Sequence, residues 1–439
     1  MALSKQPYKG TRDFFPADMR LRNYIFQKLS EVSEQFAYEP YDGPVLEELE
    51  LYRAKSGEEL INEQVYNFTD RGGREVAIRP EMTPTVARMA AQKHREIPKP
   101  IRWYAIPNLM RYEKMQKGRL REFWQYNADI FGAGTYGEVE ILQLSVNLIK
   151  SFGATSEHFE VLINDRNLVD FVFGDLLKLT PDIQKKLYKL VDNKKKMDAA
   201  KFTNEATNLL VEPEKVNIFQ KYSELDSFDS VNAFIASYKT DESKSLPLVK
   251  VMEQLKHLSL TEYVKFDPSI VRGLDYYTGV VFEIFDKHPE NRRAIAGGGS
   301  YANLLKIFDE PALEGVGIGL GEVPLSIFLE THKLIDRTKF AKADMDYLIA
   351  YLTKDAEGMA MKVAGELRDA GKKVEVYFGE AAPKKIFTYS DKKNFKFIAF
   401  IGEEEVRNGE IKIKELATKA EHLYKINNLL EKLGLADGN

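Results

Sequence analysis

The stretch GVGIGLGEVPL, residues 315–325, places a glycine at every second position. Side chains repeat with a period of two along an extended strand, so Gly315, Gly317, Gly319 and Gly321 would all face the same side. Glycine costs backbone entropy in a strand and contributes no side chain to packing. The pattern therefore predicts a strand with one bare face, covered closely either by a flat ligand or by a neighbouring strand or helix.

The segments around this strand divide the chain into four regions. Strand-like and helical patterns alternate over residues 1–165, and strand patterns return over residues 261–333. Residues 166–260 between them are rich in lysine, poor in glycine and helical in pattern. After the polar segment DRTKFAKAD, residues 344–439 alternate as a βαβαβ-like unit, which predicts a small α/β domain.

The composition excludes several classes of protein. The chain has 439 residues, 44% of them hydrophobic and 30% charged, which is typical of a globular protein with two or three domains. It has no cysteine, so disulfides, thiolate catalysis and cysteine-based zinc sites are excluded. No apolar run approaches the roughly 18 residues of a membrane span, and the N-terminal residues lack a signal-peptide pattern. We expect a cytoplasmic protein with no membrane contact and, because its six histidines are not spaced as ligands, no resident metal.

A basic hairpin is predicted over residues 107–132, PNLMRYEKMQKGRLREFWQYNADIFG, with its turn at Gly118 and a second strand from Glu122 to Phe131. An aromatic side chain, Phe123, follows the basic loop. Clustered guanidinium groups beside an aromatic ring suit a nucleotide, with phosphates on the forks and the base on the ring. Taken alone, the same pattern also fits ordinary exposed arginines. The arginines at or beside the loop are Arg111, Arg119 and Arg121.

Two shorter clusters carry polar groups next to strand or helix ends. VRGLDYYTGVVFEI, residues 271–284, sets an arginine before two adjacent tyrosines, of which only one can reach a given face of a strand. IRPEMTP, residues 78–84, places Glu81 and Thr83 where a helix begins. Each has a structural alternative: a tyrosine packed in the core, and a helix cap.

The order, spacing and flanks of these segments together resemble class II aminoacyl-tRNA synthetases, and the histidyl-tRNA synthetase family in particular. PVLEELELYRAKSGEE and YNFTDRGGREVAIRPEMTP resemble the first family motif and the amino-acid loop, and the basic hairpin resembles the second motif. VRGLDYYTGVVFEI and AGGGSY resemble two signatures of the family. The resemblance implies an α+β fold: an antiparallel sheet flanked by helices, a helical insertion, and a C-terminal α/β anticodon-binding domain.

The same resemblance implies an ATP-dependent ligase that activates L-histidine to histidyl-adenylate and transfers it to the 3' end of tRNA(His). It implies ATP as co-substrate with Mg2+, and a homodimer formed through the first motif around Pro44. Two alternatives stay open. One is a catalytically inactive paralogue that senses histidine as a regulatory subunit of histidine biosynthesis. The other is an RNA-binding protein built on a decayed synthetase.

Family roles carry over to individual positions of this sequence. Arg272 and Arg111 are expected to be catalytic. The implied ATP-binding residues are Arg111, Glu113, Arg119, Phe123, Gly319 and Gly321, with adenine lying between Phe123 and the bare glycine face. The implied histidine-binding residues are Glu81, Met82, Thr83, Arg111, Gln125, Asp129, Arg272, Tyr276 and Tyr277. The implied tRNA-binding residues are Gln116, Lys384, Lys385 and Lys392, with Lys393 and Lys396 as further phosphate contacts.

Two positions depart from the family pattern. The family carries Gly-Leu-Glu-Arg after the glycine strand, with the arginine on the γ-phosphate, and we expect Pro324 in its place. The family also carries an arginine before the tyrosine of the glycine signature, where this chain has Ser300. Two cations would then be missing from the ATP site, and this favours the regulatory alternative. An intact C-terminal domain, together with Arg111, Arg119 and Arg272, favours the ligase.

Overall fold

The computed structural model describes residues 3–54, 60–194, 197–238, 246–271, 277–291, 293–379 and 381–435. The chain forms two compact units, one of Met1–Asp13 with Tyr24–Ile335 and one of Phe14–Asn23 with Asp336–Asn439. In the described part of the chain, no helix is long and apolar enough to cross a membrane.

Most strands of the first unit belong to one large sheet. The strands of this unit are β1 (Glu39–Pro40), β2 (Leu46–Glu48), β3 (Tyr66–Thr69), β4 (Glu75–Ile78), β5 (Ile101–Ala105), β6 (Asn108–Met110), β7 (Glu122–Phe131), β8 (Phe159–Asp165), β9 (Val264–Phe266), β10 (Val280–Asp286), β11 (Ala294–Tyr301) and β12 (Gly315–Gly321). The predicted hairpin is confirmed, because β6 pairs antiparallel with β7 and Gly118 turns between them with φ +81°.

The large sheet has the order β1-β5-β7-β12-β11-β10-β8-β9, with β6 paired to one end of β7. Its central pairs are antiparallel, as expected for the α+β class. The two edge pairs, β1 with β5 and β8 with β9, are parallel, so the sheet is mixed rather than wholly antiparallel. A small sheet, β2-β4-β3, forms separately. The predicted fold class is confirmed with that one correction.

Helices cover this sheet and form most of the region predicted as an insertion. The helices outside that region are α1 (Pro16–Gln35), α2 (Leu49–Arg53), α3 (Thr83–Lys93), α4 (Thr135–Lys150) and, after β12, a helix over Glu322–Thr331. The helices inside it are α5 (Arg166–Asp170), α6 (Pro181–Asp192), α7 (Ala199–Leu210), α8 (Pro213–Ser223), α9 (Phe228–Ser237) and α10 (Leu246–His257). The helix Glu322–Thr331, which follows β12, is α11 in chain order. The extent of the insertion as an independent domain, 166–260, stays a prediction.

A patch of four glycines forms a shallow floor in the middle of the large sheet. In the register of β11 with β12, Gly297 lies opposite Gly319 and Gly299 lies opposite Gly317. Residues directly opposite each other in an antiparallel pair point to the same face, so none of these positions raises a side chain there. Larger side chains of the flanking strands, β10 and β7, project from the sheet on both sides of this patch. The glycine alternation thus builds a depression in the sheet.

The second unit contains its own five-stranded sheet among the described residues, in the order β14-β13-β15-β16-β17. Its strands are β13 (Met345–Tyr351), β14 (Val374–Tyr377), β15 (Phe395–Ile401), β16 (Glu410–Glu415) and β17 (Glu421–Lys425). Its helices are α12 (Glu357–Asp369), α13 (Pro383–Lys393), α14 (Glu403–Asn408) and α15 (Leu429–Lys432). The first three strands pair in parallel around the buried residues Ile349 and Ala399, which confirms the predicted α/β unit.

Candidate active site

Two pockets open over the glycine floor of the first unit. We call the larger, of about 490 Å³, the inner pocket, and the smaller, of about 230 Å³, the front pocket. The described residues that line both are Arg111, Gln125, Glu283, Gly297 and Gly319. The pockets are therefore neighbours over one sheet surface, joined along a shared border.

One face of β7 provides a wall of the inner pocket. Gln125, Asn127 and Asp129 alternate along that face, and all three line the pocket. The side-chain amide of Gln125 donates to Oδ1 of Asn127 at 2.7 Å, and Nδ2 of Asn127 donates to the carbonyl of Gln125 at 2.9 Å. These contacts hold the polar wall in place without a ligand.

Asp129 is a deeply buried ionisable group of the inner pocket. Only 3% of the residue is exposed, and Tyr301 Oη donates to its Oδ1 at 2.5 Å. Burial raises the pKa of the Asp129 carboxyl to about 7, although the hydrogen bond from Tyr301 opposes the shift. Near neutral pH a carboxyl with this pKa is present in both protonation states. It can therefore accept a hydrogen bond from a polar ligand or donate one to it.

The start of α3 contributes the opposite wall. Glu81 is buried and Thr83 is the first residue of the helix, and both line the inner pocket. The residue in the capping position, Met82, makes no side-chain capping hydrogen bond. Its side chain is fully buried beside Gly43, and it does not line either pocket in the described part of the chain. Among the described residues, Met82 therefore does not line the inner pocket, whereas its neighbours Glu81 and Thr83 do.

The front pocket carries charged groups from the hairpin turn. Arg119 Nη1 lies 2.8 Å from Oε2 of Glu113, and Nη1 of Arg111 lies 4.0 Å from Oε1 of the same carboxylate. Glu113 is thus shared between two guanidinium groups. Phe123 lines the same pocket, together with Gly319 and Gly321. This arrangement suits a ligand with a flat ring and several negative charges.

Arg111 lies where the two pockets meet. Its Nε donates to the carbonyl of Pro80 at 2.8 Å, and its guanidinium lies 5.6 Å from the centre of the Phe123 ring. One side of the group is therefore fixed by the loop before α3, and the remaining donors face the pockets. A cation at this junction can stabilise charge that develops between two bound reactants.

Two family models together match almost the whole chain. The model described as "Histidyl-tRNA synthetase" matches residues 10–321, and the model described as "Anticodon binding domain" matches residues 346–434. This chain belongs to the histidyl-tRNA synthetase family.

Relatives and solved structures agree with this assignment. A protein of Leptospira biflexa serovar Patoc named histidine--tRNA ligase is 42% identical over 436 residues, or 98% of each chain. The crystal structure of histidyl-tRNA synthetase from Nostoc sp. PCC 7120 has the same fold, with a TM-score of 0.78, 21% identity and 99% of each chain covered. So does the Bacillus halodurans structure titled ATP phosphoribosyltransferase regulatory subunit/histidyl-tRNA synthetase, with a TM-score of 0.76, 21% identity, and 92% and 99% coverage.

The family resemblance placed adenine against the whole glycine face, and the structure corrects this. A Cβ at Gly317 would lie 2.3 Å from Oδ1 of Asp129, and one at Gly315 would lie 2.3 Å from the Tyr301 ring. A Cβ at Gly319 would likewise lie 2.6 Å from Nε2 of Gln125, so protein side chains lie beside the first three glycines. Gly319 borders both pockets, and only Gly321 belongs to the front pocket alone.

The two positions that depart from the family pattern, Ser300 and Pro324, were both expected to leave the ATP site without a cation, and both expectations need correction. Ser300 lies on the other face of the sheet, where its hydroxyl donates to Glu138 of α4, so it removes no cation from the pockets. Counted from the pair Gly319–Leu320, the arginine of Gly-Leu-Glu-Arg falls at Glu322, and Pro324 is two residues too late. Glu322 is buried and pairs with Arg12, whose Nη2 lies 2.7 Å away.

The structure describes most, but not all, of the remaining predicted residues. Arg272 and Tyr276 fall outside the described residues, whereas Tyr277 lines the inner pocket. Arg121 packs over the Tyr112 ring at 3.9 Å and donates to Tyr8 Oη at 3.0 Å, away from both pockets. The predicted tRNA contacts on the exposed surface are Gln116 in the hairpin turn and Lys384, Lys385 and Lys392 on α13.

Two further lysines named with them are already paired with carboxylates. Lys393 lies 3.0 Å from Glu375, and Lys396 lies within 3.2 Å of Asp344 and Asp346. They are weaker candidates for phosphate contacts, because a nucleic acid would have to displace these carboxylates.

Sequence reasoning missed Asn127 and Tyr301 as pocket residues. Asn127 was detectable, because it shares the period of two that places Gln125 and Asp129 on one face of β7. Tyr301 was not, because its contact with Asp129 joins residues 172 positions apart.

Proposed function

We propose that this chain is a histidine--tRNA ligase that joins L-histidine to ATP as histidyl-adenylate and passes histidine to the 3' end of tRNA(His). The observation that carries the proposal is the position of Arg111 at the junction of the two pockets. Adenylation joins an amino-acid carboxylate to the α-phosphorus of ATP. It therefore needs two adjoining pockets with a cation at the point of reaction.

In this proposal the inner pocket binds histidine. Glu81, Thr83 and Gln125 receive the α-amino group, and Asp129 and Tyr277 take the two imidazole nitrogens. Asp129 is itself hydrogen bonded by Tyr301, so an incoming imidazole meets an oriented carboxyl. An amino acid that left these buried groups unpaired would be rejected strongly, because an unsatisfied buried polar group costs about 1–3 kcal/mol.

The front pocket binds ATP. Adenine lies between Phe123 and the Gly319–Gly321 end of β12, with Glu113 at its edge. The carboxylate oxygen of histidine attacks the α-phosphorus, the bond to the bridging oxygen of the β-phosphate breaks, and pyrophosphate leaves. Arg111 stabilises the charge that grows on the nonbridging oxygens, and Arg272 is assigned the same role from the opposite side.

Arg119 contacts the outgoing phosphates in this proposal. Its guanidinium is now paired with Glu113, so ATP binding requires the phosphates to replace that carboxylate or to share the cation with it. Glu283, which also lines the front pocket, would be the carboxylate that accompanies Mg2+, which needs only one or two of them beside substrate phosphates. When bound, Mg2+ neutralises charge on the β- and γ-phosphates.

Transfer to tRNA uses the second unit. A terminal ribose hydroxyl of tRNA(His) attacks the histidyl carbonyl, and AMP leaves. Lys384, Lys385 and Lys392 on exposed positions of α13 supply phosphate contacts near the anticodon, and Gln116 contacts the acceptor end. A homodimer through the region around Pro44 and a cytoplasmic location, where tRNA is charged, complete the proposal.

The deciding experiment is ATP–pyrophosphate exchange with each amino acid in turn. We expect exchange with histidine alone, at saturating ATP and Mg2+. Histidine binding measured by calorimetry provides the control. If the chain binds histidine but shows no exchange, the ligase proposal is wrong and the histidine-sensing regulatory subunit takes its place.

The role of α13 has a separate test. Replacing Lys384, Lys385 and Lys392 together by glutamine should leave exchange unchanged and reduce the slope of log affinity for tRNA(His) against log salt by about 1 per lost phosphate contact. The matched control replaces the carboxylate-paired lysines Lys393 and Lys396 by glutamine. An equal effect of both variants on tRNA binding would contradict the assignment of α13.

A further inference from the structure

We propose that Arg293 binds the terminal phosphates of ATP, and the pyrophosphate released from it, as a guanidinium contact that no family motif assigns. The inference rests on the proposed function and adds a residue to its phosphate site. Arg293 immediately precedes β11, and its side chain lies along the hairpin turn. A Cβ placed on Gly118 would lie 3.5 Å from Cδ of Arg293, at van der Waals distance, so the arginine side chain lies against this turn.

Arg293 borders a third cavity, of about 220 Å³, which we call the side cavity. The side cavity and the front pocket share Gly118, Ile295 and Pro324. A chain of phosphates that entered the front pocket beside Arg119 would therefore reach Arg293 across the Gly118 turn. Lys117 also lines this cavity and adds to its positive charge.

The charge of Arg293 is less compensated than that of the arginines near it. Arg119 is paired with Glu113, and Arg12 is paired with Glu322. Within the described part of the chain, Nη2 of Arg293 donates to the neutral side-chain oxygen of Gln116 at 2.7 Å. Burial, followed by the nearby charge of Arg119, lowers the pKa of Arg293, while Glu113 opposes the shift.

Two carboxylates also line the side cavity, and neither forms an ion pair with Arg293 among the described residues. Asp286 accepts from Asn291 and contacts His332 at 2.7 Å each, and Glu290 lines the same wall. Two neighbouring cations, Arg119 and Arg293, thus repel each other across a glycine turn at the edge of the front pocket. A polyphosphate placed between them would relieve that repulsion and form charge-assisted hydrogen bonds with both.

This assignment answers what replaces the cation that the family carries after its glycine strand. In this chain that position is Glu322, which faces Arg12. The guanidinium that serves the phosphates instead comes from the residue before β11, which lies beside the same end of β12 in the sheet.

The test compares Arg293→Gln with wild type in histidine-dependent exchange. The variant should raise the KM for ATP and for pyrophosphate about 10–100-fold, the loss expected for one charge-assisted contact. The KM for histidine and the inhibition constant of AMP, which lacks these phosphates, should change less than about twofold. Arg293→Lys keeps the positive charge but lacks the planar guanidinium group, so its KM values for ATP and pyrophosphate should lie between those of wild type and Arg293→Gln. The matched control is Arg71→Gln, at an exposed arginine in the turn between β3 and β4.

Direct calorimetric titration with ATP, AMP and pyrophosphate separates this proposal from the proposed function. If wild type binds ATP but does not catalyse ATP–pyrophosphate exchange, the ligase proposal is wrong. The ratio of ATP affinity to AMP affinity in Arg293→Gln still decides the role of Arg293 in that case. Equal weakening of ATP and AMP would overturn the inference, because Arg293 would then only shape the pocket. Unchanged pyrophosphate binding would overturn it as well.

Discussion

The inner and front pockets share a floor but are built in different ways. The polar groups that β7 and β11 contribute to the inner pocket are hydrogen bonded to one another, as Gln125 is to Asn127 and Asp129 is to Tyr301. In the front pocket, by contrast, Arg119 and Glu113 come from the hairpin turn and neutralise each other. The inner pocket is therefore ordered before its ligand arrives, whereas the front pocket must exchange an ion pair for the ligand's charge.

This difference indicates how selectivity and reactivity are divided. A rigid wall of partners distinguishes one amino acid from another, because a wrong ligand leaves buried groups unpaired. The ion pair of the front pocket is open to solvent on the Arg119 side, and its exchange costs little, since surface ion pairs contribute about 0–1 kcal/mol. Changes in the inner pocket should therefore affect histidine strongly, and changes in the front pocket should affect ATP more moderately.

The largest effect is expected from Gly317→Ala. The new Cβ would lie 2.3 Å from Oδ1 of Asp129 and must displace the carboxylate from its place. We expect histidine affinity to fall at least about 100-fold, because Asp129 is displaced and the added methyl group also occupies the inner pocket, and ATP affinity to change little. Calorimetry with each ligand measures both. Gly358→Ala, with no atom within 4 Å of the added Cβ, is the matched control. Equal loss of both affinities would show that the two pockets are not independent.

A smaller effect is expected from Asp129→Ala and from Tyr277→Phe. Each removes one hydrogen-bonding group from the inner pocket and should weaken histidine binding by about 1–3 kcal/mol, or about 5–150-fold. The KM for ATP in the exchange reaction should stay within about threefold of wild type. A rise in the KM for ATP as large as that for histidine would mean that the imidazole pocket is placed wrongly.

The front pocket is tested by Phe123→Leu. Loss of the ring should raise the KM for ATP about 5–20-fold, within the range of about 1–3 kcal/mol for stacking of one base on an aromatic side chain. The KM for histidine should not change. Phe68→Leu, at an exposed phenylalanine of β3, is the control. If Phe123→Leu leaves the KM for ATP unchanged, adenine does not lie on this ring.

The smallest effect is a pH dependence of stability in the ligand-free protein. The pKa of Asp129 is raised from its usual 3.8 to about 7 because burial disfavours the charged form. Its protonated form therefore stabilises the fold below about pH 4, and this contribution is lost as pH rises to about 7. Above pH 7 we expect the Tm of Asp129→Asn to exceed that of wild type by about 2–4 °C for each kcal/mol by which ionised Asp129 destabilises the fold. Near pH 4 the two Tm values should not differ. An identical pH profile of Tm for both proteins would contradict the raised pKa.

The sequence by itself determined the features that follow from short-range pattern. The period of two predicted β12 and the second strand of the hairpin, and the turn at Gly118 followed from glycine's access to positive φ. The alternation after residue 344 predicted the α/β unit, because strand and helix periods differ locally. Motif order was specific enough to indicate the family.

Only the tertiary structure decided which residues meet. The glycine floor exists because β11 and β12 pair in a register that sets Gly297 against Gly319 and Gly299 against Gly317. A shift of one residue would have turned these glycines to the other face of the sheet. Pairing also turned Ser300 toward Glu138, and it brought Arg293 beside Gln116 from 177 positions away. Local pattern specifies the period of a strand but not its neighbour, so the composition of a pocket built across strands is decided by packing.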